Sequence, residues 1–218
     1  MDIEIIETSD GSHTLYSKRF DEIYHSRHGA VAESQHIFLN AGLNFLDKKE
    51  IRVFEVGFGT GLNALLTWVY AESKGIKIGY DSMELYPIPM DLVSQINYPD
   101  LLGSREKFTM LHESAWDQIV EFSPYFSLAK FHRSILEMRY PYSCIDIVFF
   151  DAFSPEKQPE MWTIEVFKKI YDILNPGGIL VTYCSKSYVR KNMQEVGFEI
   201  TKLPGPNGKR DMVRATKK

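Results

Sequence analysis

Glu55-Val56-Gly57-Phe58-Gly59-Thr60-Gly61 joins an apolar run, Ile51-Arg52-Val53-Phe54-Glu55-Val56, to a segment of helical spacing that starts at Leu62. A buried strand running through three alternating glycines into a helix is the start of an α/β unit that holds a nucleotide-like ligand. Glycine allows positive φ and lets backbone approach a ligand with no Cβ in the way. Leu62, Leu65, Leu66 and Val69 then fall on one side of a helix over Leu62 to Ser73.

Outward from this loop, strand-like and helix-like segments alternate. Ile76 to Leu85 reads as a second strand closed by Tyr86-Pro87, Ile88 to Ile96 as a short helix, and Phe108 to His112 as a third strand. Cys144 to Phe150 is apolar on both faces apart from Asp146, the pattern of a strand buried in a parallel sheet. Met161 to Leu174 reads as a helix stopped by Asn175-Pro176-Gly177-Gly178, Ile179 to Cys184 as a strand, and Ser187 to Glu195 as a helix. Phe198 to Leu203 and Arg210 to Ala215 flank the turn at Pro204-Gly205-Pro206-Asn207-Gly208, so that pair must be antiparallel. The expected fold is α/β: a mostly parallel, Rossmann-like sheet with an antiparallel C-terminal strand and helices on both faces. Ligands of such sheets bind beyond the carboxyl ends of the strands.

The 218 residues suit one domain, with residues 1–50 as an N-terminal extension of unassigned structure. Hydrophobic residues make up 44% and charged residues 25%, an ordinary globular balance. The longest apolar candidate, Leu62 to Ala71, is broken by Asn63 and Thr67 and is too short to span a bilayer. The acidic start, Met1-Asp2-Ile3-Glu4, lacks the basic region of a signal peptide, so a cytoplasmic location is expected. Cys144 and Cys184 form no CxxC, and the six histidines are scattered, which gives a metal site no support. Net charge is −4, but Lys186 to Lys218 carries nine basic against three acidic residues. That basic third is either a solvated face or a local contact for a phosphate backbone.

The loop separates two cofactor classes. A dinucleotide fingerprint wants Gly or Ala at position 62, where this chain has Leu62. Glu55, two residues before Gly57, would also repel a pyrophosphate. S-adenosylmethionine carries an ammonium and a sulfonium and suits that carboxylate, while its own carboxylate can lie toward the helix N-terminus opened by Gly61. Glu84, at the end of the second strand, is placed to accept hydrogen bonds from ribose hydroxyls. Trp116, in Ala115-Trp116-Asp117, either stacks on the adenine or is a core aromatic. Asp151 opens Asp151-Ala152-Phe153-Ser154-Pro155 at the fourth strand end and is the candidate to hold, or take a proton from, an amine acceptor. Phe153 and Pro155 form an apolar wall there, or pack.

Several stretches together resemble one family. They are Tyr24-His25-Ser26, Ala32-Glu33-Ser34-Gln35-His36-Ile37-Phe38-Leu39, the glycine loop continued through Leu62-Asn63, and Phe150-Asp151-Ala152-Phe153-Ser154-Pro155 with Pro159-Glu160-Met161-Trp162. Pro204-Gly205 with Gly208-Lys209-Arg210-Asp211-Met212 completes the set. The chain resembles the methyltransferase domain that completes 5-methylaminomethyl-2-thiouridine at the tRNA wobble position. The resemblance implies a class I methyltransferase sheet of six parallel strands and one antiparallel. It implies methyl transfer from S-adenosylmethionine to the amine of a 5-aminomethyl-uridine. Glu55, Gly57, Phe58, Gly59, Gly61, Asn63, Glu84, Trp116 and Asp117 would serve the cofactor, and Asp151 would face the acceptor. Tyr24, Ser26 and Glu33 would help cover the site with Phe153 and Pro155, and Lys186, Arg190, Lys191, Lys209 and Arg210 would meet tRNA phosphates. Some relatives carry a fused oxidase that makes the aminomethyl substrate; this chain stops at Lys218, so a separate enzyme is the expected source. Two other readings stay open: a methyl- or aminopropyl-transferase for a small amine, and a non-catalytic module that binds RNA or cofactor. A nicotinamide dehydrogenase is disfavoured by Leu62 and Glu55.

Overall fold

The computed structural model describes residues 3–138, 144–206 and 211–218. Its first elements are three short strands, β1 (Ile3–Glu7), β2 (His13–Ser17) and β3 (Glu22–Ile23), in an antiparallel sheet of order β1-β2-β3. A short helix, α1 (Ala30–Ser34), continues into a π-helical segment, Gln35–Asn40, and leads to the main sheet.

That sheet begins with β4 (Glu50–Val56), followed by helix α2 (Leu62–Lys74) and β5 (Lys77–Met83). Both ends of α2 are left-handed glycines, Gly61 at φ 74° and Gly75 at φ 62°. Short helices α3 (Met90–Val93) and α4 (Tyr98–Leu101) precede α5 (Arg105–Glu113) and the hairpin of β6 (Ile119–Ser123) and β7 (Phe126–Phe131). Then come β8 (Ile145–Phe150), α6 (Ile164–Ile173), β9 (Leu174–Thr182), α7 (Ser187–Glu195), β10 (Phe198–Leu203) and β11 (Met212–Lys217). Strand order is β10-β11-β9-β8-β4-β5-β7-β6. The pairs of β4 with β5 and β8, of β5 with β7 and of β8 with β9 are parallel, while β11 runs antiparallel to both β9 and β10. Six strands therefore share one direction with β11 reversed, as expected, and β6 adds a further antiparallel edge on β7.

Period-two alternation feeds two cores. Val53, Ile147 and Phe149 turn to one face with Leu62, Leu65 and Trp68 of α2 and Phe108 and Leu111 of α5. Phe54, Val148 and Phe150 turn to the other, against Val166, Phe167 and Ile170 of α6 and Val189 and Met193 of α7. Burial on both faces explains why these strands carry no continuous polar stripe.

Four sequence expectations are corrected. Phe108 to His112 is helical, within α5, because Phe108 and Leu111, three apart, are its buried positions. The third parallel strand is instead β7, whose Lys130 is 1% exposed. Second, the Met161 to Leu174 segment divides into a 3-10 turn, Pro159–Trp162, and α6, whose first turn is capped by Thr163 Oγ1 accepting from Val166 N at 3.3 Å. Third, the strand expected over Ile179 to Cys184 starts earlier, at Leu174, so Asn175-Pro176-Gly177-Gly178, which does follow the end of α6, lies inside β9. Helix α3 is also shorter than the Ile88 to Ile96 span.

Candidate functional site

A cavity of about 260 Å³ opens at the carboxyl ends of β4, β5, β8 and β9, under the N-terminal sheet. Gly57 and Gly59, with φ of 90° and 50°, form its edge. A Cβ on Gly57 would stand 3.0 Å from the Asp151 carbonyl, and one on Gly59 would stand 3.3 Å from the Tyr24 ring. Both positions therefore need glycine for conformation and for room. Gly57 N donates to Met83 O at 2.9 Å, which fixes the loop to the end of β5.

Glu84 lines the cavity and accepts from Gly59 N at 3.0 Å and Tyr86 N at 2.6 Å. Burial raises its pKa, and these backbone bonds oppose the rise. Opposite, Asn63 of α2 donates from Nδ2 to Asp151 Oδ2 at 2.9 Å. Burial pushes Asp151 up to about 7, with the Asn63 bond opposing and the charge of Glu33 adding. Below them Glu55 is fully buried and accepts from Ser82 Oγ at 2.7 Å. Burial pushes it up to about 8; the Ser82 bond opposes this and the Asp151 charge adds to it. Its Oε1 has no well-formed hydrogen bond, although Asn63 and Tyr80 stand beside it.

The third wall comes from the N-terminal sheet. Phe20 stacks on Phe153 at 4.5 Å, and Tyr24 meets the same ring edge-on at 5.0 Å. Arg19 Nη2 donates to the Tyr86 hydroxyl at 3.0 Å, and Glu22 Oε2 accepts from Ser154 N at 2.8 Å. The β2–β3 turn thus bridges the loops after β5 and β8. Glu33 Oε2 accepts from Ser26 N at 2.7 Å, and both residues line the cavity. Lining carboxylates are Glu22, Glu33, Glu84 and Asp151, against the single guanidinium of Arg133, which is paired with Asp117.

Of the residues singled out in the sequence, the cavity gathers Tyr24, Ser26 and Glu33, Gly57 to Gly59, Asn63, Glu84, Asp151 and Phe153. Glu55 lies beneath this wall, and Gly61 caps α2 with its α-carbon facing His112. Trp116 is half-buried behind Phe58, 6.4 Å between ring centroids, and Asp117 is exposed. Pro155 is buried outside the cavity wall. Lys186 and Arg190 sit at the start of α7, Lys186 paired with Glu156 and Arg190 Nε donating to Ser185 O at 3.1 Å. Lys209 and Arg210 lie outside the described residues. Phe20, Tyr86, Arg133 and Tyr183 also line the cavity and were not singled out. Tyr183 follows β9 directly, so the rule that ligands bind beyond strand ends was the signal available for it.

Thr60 Oγ1 and Asn63 Oδ1 belong to cavity-lining residues and are buried without a hydrogen-bond partner. Such orphans call for a polar ligand, and the cavity wall they face carries four carboxyl groups and no lysine among the described lining residues.

Known proteins share this architecture. A family model described as S-adenosyl-L-methionine-dependent methyltransferase matches residues 128–218. The tRNA 5-methylaminomethyl-2-thiouridine biosynthesis bifunctional protein MnmC of Cupriavidus metallidurans is 30% identical over 97% of this chain, and that of Ralstonia nicotianae is 31% identical over 93%. The chain spans about a third of the length of these relatives, 33% in each case. The crystal structure of MNMC2 from Aquifex aeolicus matches with a TM-score of 0.79 at 27% identity, covering 99% of this chain and 70% of that one. Spermidine synthase from Thermotoga maritima matches at a TM-score of 0.63 and 15% identity, a likeness of fold alone.

Proposed function

We propose that this chain is an MnmC-like, S-adenosyl-L-methionine-dependent methyltransferase domain and that it methylates the primary amine of a 5-aminomethyl-uridine at the tRNA wobble position. The observation that carries the reading is the Asn63–Asp151 pair at the cavity floor, facing the glycine loop within a predominantly acidic wall. Bound S-adenosylmethionine supplies an electrophilic methyl group on a sulfonium centre. Gly57, Phe58 and Gly59 would hold it along the loop, Glu84 at its ribose, and Asn63 with Glu55 behind it at its cationic end. Trp116, Asp117 and Gly61 would then act from outside the cavity by supporting Phe58, Arg133 and α2.

Residues 1–218 form one methyltransferase domain in this reading, and residues 1–50 cover its site. An amine is mostly protonated near neutral pH and has no lone pair to offer until it loses a proton. Asp151 Oδ1 or Oδ2 takes that proton, and a carboxyl poised near 7 is matched to the task. Asn63 fixes the carboxylate while Tyr24, Phe20 and Phe153 exclude water and flank the acceptor. Ser26, Glu33 and Pro155 support that cover, and Lys186, Arg190, Lys209 and Arg210 would meet the tRNA backbone beyond the rim. A separate activity would deliver the aminomethyl substrate. Among the described residues no helix is long and apolar enough to cross a membrane.

The test is incubation with labelled cofactor and tRNA that lacks only the last methyl, followed by nucleoside analysis. Label in the methylaminomethyl nucleoside is the expected result. Label confined to small free amines would replace this assignment with a small-amine transferase, and no transfer to any amine would favour a non-catalytic binding module.

A further inference from the structure

The glycine loop is tied at three points. Gly57 N is bonded to Met83 O, and Gly59 N is bonded to Glu84 Oε2. Thr60 O is met by His112 Nε2 at 3.1 Å. The second tie uses a cavity carboxylate, so a ribose that bonds to Glu84 competes for it. The third comes from behind the loop, since His112 belongs to the last turn of α5 and does not line the cavity.

His112 is half-buried, and its ring packs closely against the loop and against its own helix. Its ring lies 5.3 Å from Phe58 and 4.6 Å from Phe108, both edge-on. A Cβ on Gly61 would come within 2.8 Å of Nε2. The turn that carries it is itself held: Lys130 Nζ, fully buried in β7, donates to Leu111 O at 2.7 Å and His112 O at 2.8 Å. Tyr98 hydroxyl approaches the same Thr60 carbonyl at 3.4 Å, a weaker contact.

We propose that His112 is a positioning residue for the cofactor: its Nε2–H holds the Thr60 carbonyl turned toward α5 and so fixes Gly59 and Thr60 in their ligand-ready conformation. Thr60 O can only accept, which assigns the proton to Nε2. Burial lowers the His112 pKa to about 4, the Thr60 bond opposing, so the ring is neutral at working pH and the tie does not switch. This also gives Gly61 its reason: it makes room for the imidazole rather than for the ligand. The inference rests on S-adenosylmethionine occupying the loop, and not on the identity of the methyl acceptor.

Four proteins decide it: wild type, His112→Phe, His112→Gln and His112→Asn. Phe keeps the packing and loses the donor; the Gln carboxamide reaches Thr60 O, and the shorter Asn carboxamide does not. Calorimetric titration with S-adenosylmethionine should show binding weakened about five- to tenfold in H112F, the usual scale for one lost neutral hydrogen bond. H112Q should recover most of it and H112N should not. At saturating cofactor and acceptor, kcat should stay within about twofold of wild type, so that the loss falls on KM for the cofactor. Should H112F fail to fold, the comparison of H112Q with H112N carries the same contrast. Equal affinity in all four, or equal loss in H112Q and its partners, overturns the proposal. A wild-type protein that binds no S-adenosylmethionine overturns the proposed function itself.

Discussion

Asn63 reaches from the first turn of α2 across the cavity floor to donate to Asp151, 2.9 Å from Nδ2 to Oδ2. The bond favours the carboxylate over the acid, against a burial that pushes the group up to about 7. If Asp151 accepts the acceptor's proton, kcat/KM rises with pH through a limb near 7. Asn63→Ala removes the opposing bond and should move that limb to higher pH, by about one to two units, given ~1.5–3 kcal/mol for a hydrogen bond to a charged group and ~1.36 kcal/mol per unit. Asp151→Asn should slow transfer at least about 100-fold while S-adenosylmethionine still binds. A pH profile unmoved by Asn63→Ala would remove this pair from the proton path.

Buried acids also mark the stability of the ligand-free protein. Glu55 and Asp151 have folded pKa values raised to about 8 and about 7 from ordinary values of 4.5 and 3.8. Between about pH 4 and pH 8 the unfolded chain has released these protons and the folded chain retains them. Stability is therefore lost as pH rises through that window, the reverse of a salt-bridged carboxylate. Glu55→Gln and Asp151→Asn, which cannot ionise, should each melt higher than wild type at pH 8, by at least ~2–4 °C, and match it near pH 4. Thermal melts without cofactor at the two pH values check this; a difference independent of pH would contradict it.

A cation entering the same site should draw those protons off. Its charge favours the ionised carboxyls, so S-adenosylmethionine binding at pH 7 should release protons from the Glu55–Asp151 cluster. Titrations in phosphate and in Tris, whose ionisation heats differ widely, should give different apparent enthalpies, with a difference that shrinks in Glu55→Gln. Identical heats in both buffers would mean that the cluster does not sense the cofactor's charge.

These groups were readable because their chemistry sits at strand ends. An apolar run into a glycine loop locates β4 and α2, and the acids Glu84 and Asp151 follow the next apolar strands. Strand β7 was hidden by Lys130, a charge inside an otherwise apolar stretch, while the short apolar segment at Phe108 fits either period. In β2 and the turn before it, buried Ser12, Thr14 and Ser17 blur the alternation. Their polarity is absorbed locally, as in the bonds of Ser12 N to Asp10 at 3.0 Å and His25 N to Thr14 at 2.9 Å. Phe20, Tyr86 and Arg133 reach the cavity only through tertiary contacts such as Arg19 with Tyr86. No local pattern encodes such contacts.

Lys130 gives the last test, because its role is structural and its charge is costly. Its ammonium caps the carboxyl end of α5 through Leu111 O and His112 O, and burial lowers its pKa to about 8. Lys130→Met keeps most of the volume but leaves the buried Leu111 carbonyl and the partly buried His112 carbonyl without this donor, a loss of about 1–3 kcal/mol. Above pH 8 the folded wild type sheds a proton that the unfolded chain keeps until about 10.5, so wild-type stability gains with pH in that range. The deficit of Lys130→Met should therefore be wider at pH 9.5 than at pH 7 when both proteins are unfolded in urea. Cofactor binding should weaken as well, since the turn that carries His112 loses its anchor. A deficit that narrows with rising pH would show that the buried amine is not the group that titrates.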